Sequence, residues 1–140
     1  MSRFFLPAVF LLAASTTTPA ADVGRQDALA IHAVVADQLD AFTRDDARRA
    51  FSMATTRIRE QFGTPEKFIN MVRSAYPVIY RRQAVQFEKP EIVAGEVILP
   101  VRMTDEQGRA WIALYPMQRQ PDGSWRIDGC QLAKAPGLEV

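Results

Sequence analysis

The sequence predicts an α+β domain, helical in its first half and built of antiparallel strands in its second, with the change falling near Pro77. Three observations carry this. Apolar residues between Ala28 and Phe42 recur at three- and four-residue spacing, the period of one helix face. The run Phe62-Gly63-Thr64-Pro65-Glu66 sets a left-handed helix stop, a cap, a first-turn proline and an acid in order. From Val78 onward the apolar period is two, broken by the turn segments Asp105-Glu106-Gln107-Gly108 and Pro121-Asp122-Gly123.

Ahead of the domain, Met1-Ser2-Arg3 is a short positive start and Phe4 to Ala14 is an apolar run. At about 11 residues the run suits a secretory signal and falls short of the ~20 that a membrane span requires. Small Thr18 and Ala20 stand where a signal peptidase needs small side chains, so residues 1–20 read as a signal peptide. Residues 21–140 then form one domain with its core over about 27–133, and the expected location is periplasmic or secreted, without membrane attachment after cleavage. Once Arg3 is removed, basic and acidic side chains balance. That argues against nucleic acid as a partner, because phosphates call for a basic face. Cys130 is the single cysteine, which excludes an intramolecular disulfide.

In the first helix Ile31, Val34, Val35, Gln38, Leu39 and Phe42 share a face. Asp45 and Asp46 supply the negative charge favoured at the start of a short second helix, which carries Ala47, Ala50, Phe51 and Ala54 on one side. A third helix follows Pro65 with Phe68, Met71, Val72, Ala75 and Tyr76 in one stripe, and Pro77 ends it. Strand segments are expected near 78–88, 92–104, 109–120 and 124–133. If Gln120 and Ser124 close the last hairpin, Arg119 pairs with Trp125, Met117 with Ile127 and Tyr115 with Gly129. One face of that ribbon carries Tyr115, Met117, Trp125 and Ile127; the other carries Ile112, Leu114, Cys130 and Leu132. Helices cover only one of the two, which leaves the other as a candidate surface for a symmetric homodimer through the sheet. Pro116 faces Asp128 where the ladder expects an N–H donor, so either a bulge lies there or the register changes beyond it.

Three helices followed by a meandering antiparallel sheet resemble the nuclear transport factor 2-like cone, in which helices pack in the concavity of a curved four-stranded antiparallel sheet. Ketosteroid isomerases, polyketide cyclases and many binding domains share that fold. More specific stretches are Gln38-x-x-Ala41-Phe42 with Asp45-Asp46, Ala50-Phe51-x-x-Ala54, Ile58-x-x-x-Phe62-Gly63-Thr64-Pro65-x-x-Phe68, Met71-Val72 and Tyr76-Pro77-x-x-Tyr80-Arg81. With Asp122-Gly123-x-Trp125-x-Ile127-x-Gly129-x-Gln131-Leu132, they resemble the domain of unknown function 4864 family of exported proteobacterial proteins over about residues 27 to 133. The resemblance implies fold and compartment, and it carries no catalytic residue.

The sequence holds no H-E-x-x-H, C-x-x-C, phosphate-binding glycine loop or G-x-S-x-G. One histidine does not make a multi-histidine metal site, so no metal or other cofactor is expected. His32 borders the apolar stripe of the first helix, either as a half-buried boundary residue or as an acid–base group that titrates near neutral pH. Asp128 either faces outward beside Arg126 and Gln118, or faces the helices as a buried carboxylate with a raised pKa. Tyr80 completes the catalytic candidates. Tyr76, Tyr80, Trp111 and Tyr115 are candidates for the wall of a ligand pocket, and Arg82 for an inward anion anchor. Cys130 reads as an inert buried thiol. The sparse acid, base and nucleophile set favours a noncatalytic small-molecule- or protein-binding domain; the alternative is an isomerase-like or dehydratase-like enzyme acting in the cone pocket.

Overall fold

The structure is a computed structural model and describes residues 22–135. The expected signal peptide, its cleavage site and the last five residues lie outside the described residues. Among the described residues five helices come first: α1 (Arg25–Thr43), α2 (Ala47–Ser52), α3 (Thr56–Phe62), α4 (Pro65–Ala75) and α5 (Pro77–Tyr80). Six strands follow: β1 (Ala84–Phe87), β2 (Glu91–Val93), β3 (Glu96–Thr104), β4 (Ala110–Arg119), β5 (Trp125–Ile127) and β6 (Gln131–Lys134). β1 and β2 both pair with β3, and β5 and β6 both pair with β4. The six strands therefore make an antiparallel sheet four strands wide, curled into a half-barrel with the helices packed on it.

α1 buries the expected stripe, Ile31, Val35, Gln38, Leu39, Ala41 and Phe42. Asp46 caps α2 by accepting from the Arg49 N–H at 3.1 Å. The second helix stops before Ala54, because residues 53 to 55 pair instead with the sheet: the Ile127 N–H donates to the Met53 carbonyl at 2.8 Å, and the Thr55 N–H donates to the Ile127 carbonyl at 2.9 Å. That segment covers an edge of β5 that would otherwise present unpaired backbone groups. Thr55 and Thr64 cap α3 and α4 through their hydroxyls, and Gly63 takes φ +83° between them. Pro77 ends α4 and also starts α5, at the helical position where its missing N–H costs nothing. Val78, Ile79 and Tyr80 are consecutively buried, which suits a helical turn and not the half-buried strand expected there, so the first strand begins only at Ala84.

The last hairpin has the expected register, with Met117 opposite Ile127 and Arg119 opposite Trp125. Beyond it the register moves by one residue: Leu114 lies opposite Gln131 and Ala113 opposite Leu132. The extra residue is a bulge spanning Asp128, Gly129 and Cys130, with Gly129 at φ +144°. Pro116 is accommodated through its carbonyl, which accepts from the Asp128 N–H at 2.8 Å. The bulge removes the expected Tyr115–Gly129 pair and turns Leu132 onto the same sheet face as Ala113. The helices cover the face of Tyr115, Met117, Trp125 and Ile127, all buried together with Leu99, Val101 and Met103 of β3. Ile98, Pro100, Ile112, Leu114 and Pro116 lie on the opposite face.

Candidate functional site

Curling the sheet around the helices leaves an inner pocket of about 210 Å³. α1 brings Gln38 and Phe42 to its wall, and the α3–α4 corner brings Ile58, Phe62, Phe68 and Met71. Tyr115 and Ile127 come from adjacent strands, and the bulge brings Gly129 and Cys130. A wider, open cleft of about 950 Å³ lies between α4–α5 and β4–β6, with the Asp105–Arg109 turn at its rim. Tyr76 and Cys130 line both spaces, so the cleft borders the inner pocket.

Tyr115 is 1% exposed, and its hydroxyl makes no well-formed hydrogen bond among the described residues, its neighbour being the weakly accepting Cys130 thiol. Burial raises its pKa well above the ordinary tyrosine value, with the Cys130 thiol adding to the rise and Arg82 opposing it. The phenol therefore stays neutral at any physiological pH. Burial also pushes the Cys130 thiol up to about 12. The amide nitrogen of Gln38 donates to the Ala50 carbonyl at 3.1 Å, which leaves the amide oxygen as an acceptor at the wall. The polar side chains described at the inner pocket are Gln38, Gln61, Tyr76, Tyr115 and Cys130, with no Asp, Glu, Lys, Arg or His among the described residues that line it.

Of the residues expected to carry chemistry, the structure brings Tyr76 and Tyr115 to the inner pocket and Tyr76, Tyr80 and Trp111 to the cleft. The Trp111 indole N–H donates to Asp105 Oδ2 at 3.0 Å. The guanidinium groups of Arg73 and Arg81 both lie over the Tyr80 ring, 5.0 and 4.4 Å from its centroid. Its hydroxyl donates to Asp45 and accepts from Arg73 Nη2 at 2.9 Å. Arg82 lines neither space; it donates to the Ile79 carbonyl and to Thr43 Oγ1 at the end of α1, and burial lowers its pKa. The strand that was to point it inward begins two residues later.

His32 also lies apart, with Nε2 2.8 Å from the Glu88 carbonyl oxygen and its ring against Phe87. Asp128 neither pairs with Arg126 nor enters the pocket. Its Oδ1 accepts from Thr55 Oγ1 at 2.7 Å and from Arg57 Nε at 3.2 Å, and Arg57 Nη2 also donates to the Asp128 carbonyl at 2.8 Å. The carboxylate fastens the bulge to the start of α3. His32, Tyr80 and Asp128 consequently occupy three separate places. Gln38, Phe42, Phe62, Phe68 and Cys130 were not expected at a pocket. The signal for Gln38 was present, since a polar side chain falls inside the apolar stripe of α1.

Among the described residues, no group of three or more His, Cys, Asp or Glu side chains is placed to hold a metal ion. No helix among them is long and apolar enough to cross a membrane. Helices closing a curled antiparallel sheet over an apolar pocket define a cavity-bearing α+β half-barrel domain. The chain belongs to the family described as Domain of unknown function (DUF4864), whose model matches residues 24–140. Neither a curated protein nor a solved structure matches the chain.

Proposed function

We propose that the protein is an exported, noncatalytic domain that binds a small molecule in the inner pocket, with the cleft as its entrance. The observation that carries this reading is an apolar space of about 210 Å³ between the helices and the curled sheet, walled by Phe42, Phe62, Phe68 and Ile127 with Gln38 and Gln61 as polar side chains. A concave apolar space with a few polar side chains on its wall is the usual form of a small-molecule site. Binding is favoured over proton transfer because Tyr115 and Cys130 both hold their protons near neutral pH. Export rests on the apolar run of Phe4 to Ala14 and the small residues before Ala21.

The test is a titration of the protein with toluene, followed through the methyl resonances of Met71 and Ile127, which both line the pocket. Saturable shifts confined to pocket residues are expected, and no shift at millimolar toluene overturns the reading. Export is checked by intact mass of periplasmic protein, expected to begin at Ala21. Pairing of two copies falls to the outer sheet face of Ile98, Ile112 and Pro116, because the helices occupy the other. Sedimentation showing a clean monomer at all concentrations overturns that pairing.

A further inference from the structure

We infer that the free edge of β6, where it borders the cleft, is a docking site for an extended acidic peptide that joins the sheet as a further strand. This site is separate from the inner pocket and stands whether or not that pocket takes a small molecule. β6 is paired on one side only. The Ala135 N–H donates to the Ala110 carbonyl at 3.1 Å, so in the alternating ladder Ala133 and Gln131 also turn their backbone groups toward β4, to Ile112 and Leu114. Leu132 and Lys134, which alternate with them, turn theirs away from the sheet. The N–H and C=O groups of both make no hydrogen bond among the described residues. Lys134 is exposed and Leu132 half-buried, so water serves this edge until another strand replaces it. At β5, by contrast, the backbone groups of Ile127 that face away from β4 already pair with Met53 and Thr55.

The cleft selects the strand that fits. Gln131, Leu132 and Ala133 form one wall and α4–α5 the other, where Tyr76 and Val78 supply apolar surface. At about 950 Å³ it stands at the upper end of the ~300–1,000 Å³ range of small-molecule sites, and it lies open along β6, which suits a chain. A strand bonded to Leu132 and Lys134 sends every second side chain into that trough. The α4–α5 wall carries Arg73 and Arg81, which share the single carboxylate of Asp45, and the wall itself contributes no acid. Lys134 adds a third cation beside the Trp111 ring. At the rim Asp105 is already paired with Arg109, which leaves Glu106 to oppose them. A carboxylate entering the trough therefore meets an excess of positive charge, and an ammonium meets repulsion.

The probe is a blocked heptapeptide in which threonine alternates with valine, glutamate and valine, so that the last three share one strand face. Two relatives accompany it: one with lysine in place of glutamate, and one methylated at its backbone nitrogens, which removes its amide donors. Binding is followed by nuclear magnetic resonance and amide hydrogen exchange. In the free protein the amides of Leu132 and Lys134 are expected to exchange faster than that of Ala133, which β4 holds. At saturation the glutamate peptide is expected to slow both. The lysine peptide is expected to bind about tenfold more weakly, and the methylated peptide to leave both amides unprotected. Lys134→Pro deletes an outward donor and no ladder bond, a change an edge strand tolerates. It is expected to bind the glutamate peptide about tenfold more weakly than Lys134→Ala, which loses the same charge and keeps the donor. Should Lys134→Pro not fold, amide exchange in the wild type decides alone.

Amides of Leu132 and Lys134 as slow as that of Ala133 in the free protein overturn the inference, because the edge is then already covered. A protection that grows with protein concentration overturns it in favour of a second copy. No binding at millimolar glutamate peptide, binding that leaves the two amides unprotected, or equal binding by the methylated peptide also overturns it. So does equal binding by Lys134→Pro and Lys134→Ala. Equal binding of the lysine peptide overturns the acidic partner. Each of these outcomes is read at β6 and leaves the toluene titration of the inner pocket unaffected.

Discussion

The hydroxyl of Tyr115 and the thiol of Cys130 meet at the wall of one apolar pocket, although the simple hairpin register would place Cys130 on the opposite side of the sheet. The one-residue bulge between β5 and β6 makes the difference. It also sets the chemistry of the thiol, whose pKa rises from the ordinary 9.0 to about 12 because burial penalises the thiolate.

The thiol should therefore be slow to react. At pH 8 its labelling in the folded protein should be far slower than in denaturant, since the thiolate is the nucleophile. Labelling at the unfolded rate would refute this. The sign of the pH effect follows from the raised pKa. The stabilisation is complete below pH 9 and is lost as the pH rises from 9 toward about 12, where the unfolded chain releases a proton that the folded one retains. Cys130→Ala should reduce the alkaline slope, leaving the part that the raised Tyr115 pKa contributes above pH 10, and cost about 1–2 kcal/mol in a urea melt.

Gly129 makes the bulge tolerable. At φ +144° it occupies backbone space that side-chain-bearing residues rarely adopt, and an added Cβ would stand 3.6 Å from Pro116 Cγ. The contact is ordinary, so the cost lies in the backbone. Gly129→Ala should destabilise the domain by about 1–3 kcal/mol, read from the shift of the urea midpoint at unchanged slope. An unchanged midpoint would show that the bulge relaxes to another geometry.

What was legible in the sequence was written locally. Thr64 and Pro65 announce the start of α4 within two residues, and Pro121-Asp122-Gly123 fixes a turn from which the Met117–Ile127 register follows by counting. The bulge was only half legible. Pro116 and Gly129 signalled a disturbance, but the direction in which Cys130 turned depended on the helices packed against it. The partners of Asp128, Thr55 and Arg57, lie more than 70 residues away in the chain, beyond the reach of local patterns. A neighbour such as Arg126 is visible in the sequence, whereas a helix terminus brought in by folding is not. The pocket was the least legible feature, since Phe42, Phe62 and Phe68 have the same periodicity whether they fill a core or surround a space.

The acid limb of stability should depend on Asp105. Its carboxylate accepts from the Trp111 indole, from the Arg109 backbone and side chain, and from the Gln107 N–H, at 2.8–3.0 Å. These bonds, the indole's foremost, lower its pKa from 3.8 to about 2 despite the opposing effect of desolvation. A lowered carboxylate pKa gives stability that is fully present above pH 4 and lost as the pH falls from about 4 to 2. Trp111→Phe removes the leading donor and should flatten the fall in melting temperature across that interval. An acid limb identical to the wild type would assign the slope to other carboxylates.

Tyr80 tests whether its hydroxyl serves structure or chemistry. The ring is buried against Arg73 and Arg81, and the hydroxyl links Asp45 to Arg73. Asp45 itself stands at φ +55° in the turn between α1 and α2, and Arg81 also donates to Asp45 Oδ1 at 3.1 Å and to the Phe42 carbonyl at 2.9 Å. The phenol thus joins the α1–α2 turn to α4. Tyr80→Phe keeps the ring against the two cations and deletes only the hydroxyl, so it should cost about 1 kcal/mol, below the usual cost of a lost bond to charged groups because both Asp45 and Arg73 are more than half exposed. Since Tyr80 lines the cleft and not the inner pocket, toluene affinity should stay within about twofold of the wild type. A variant with wild-type stability but sharply weaker binding would reverse the assignment and place the Tyr80 hydroxyl on the ligand.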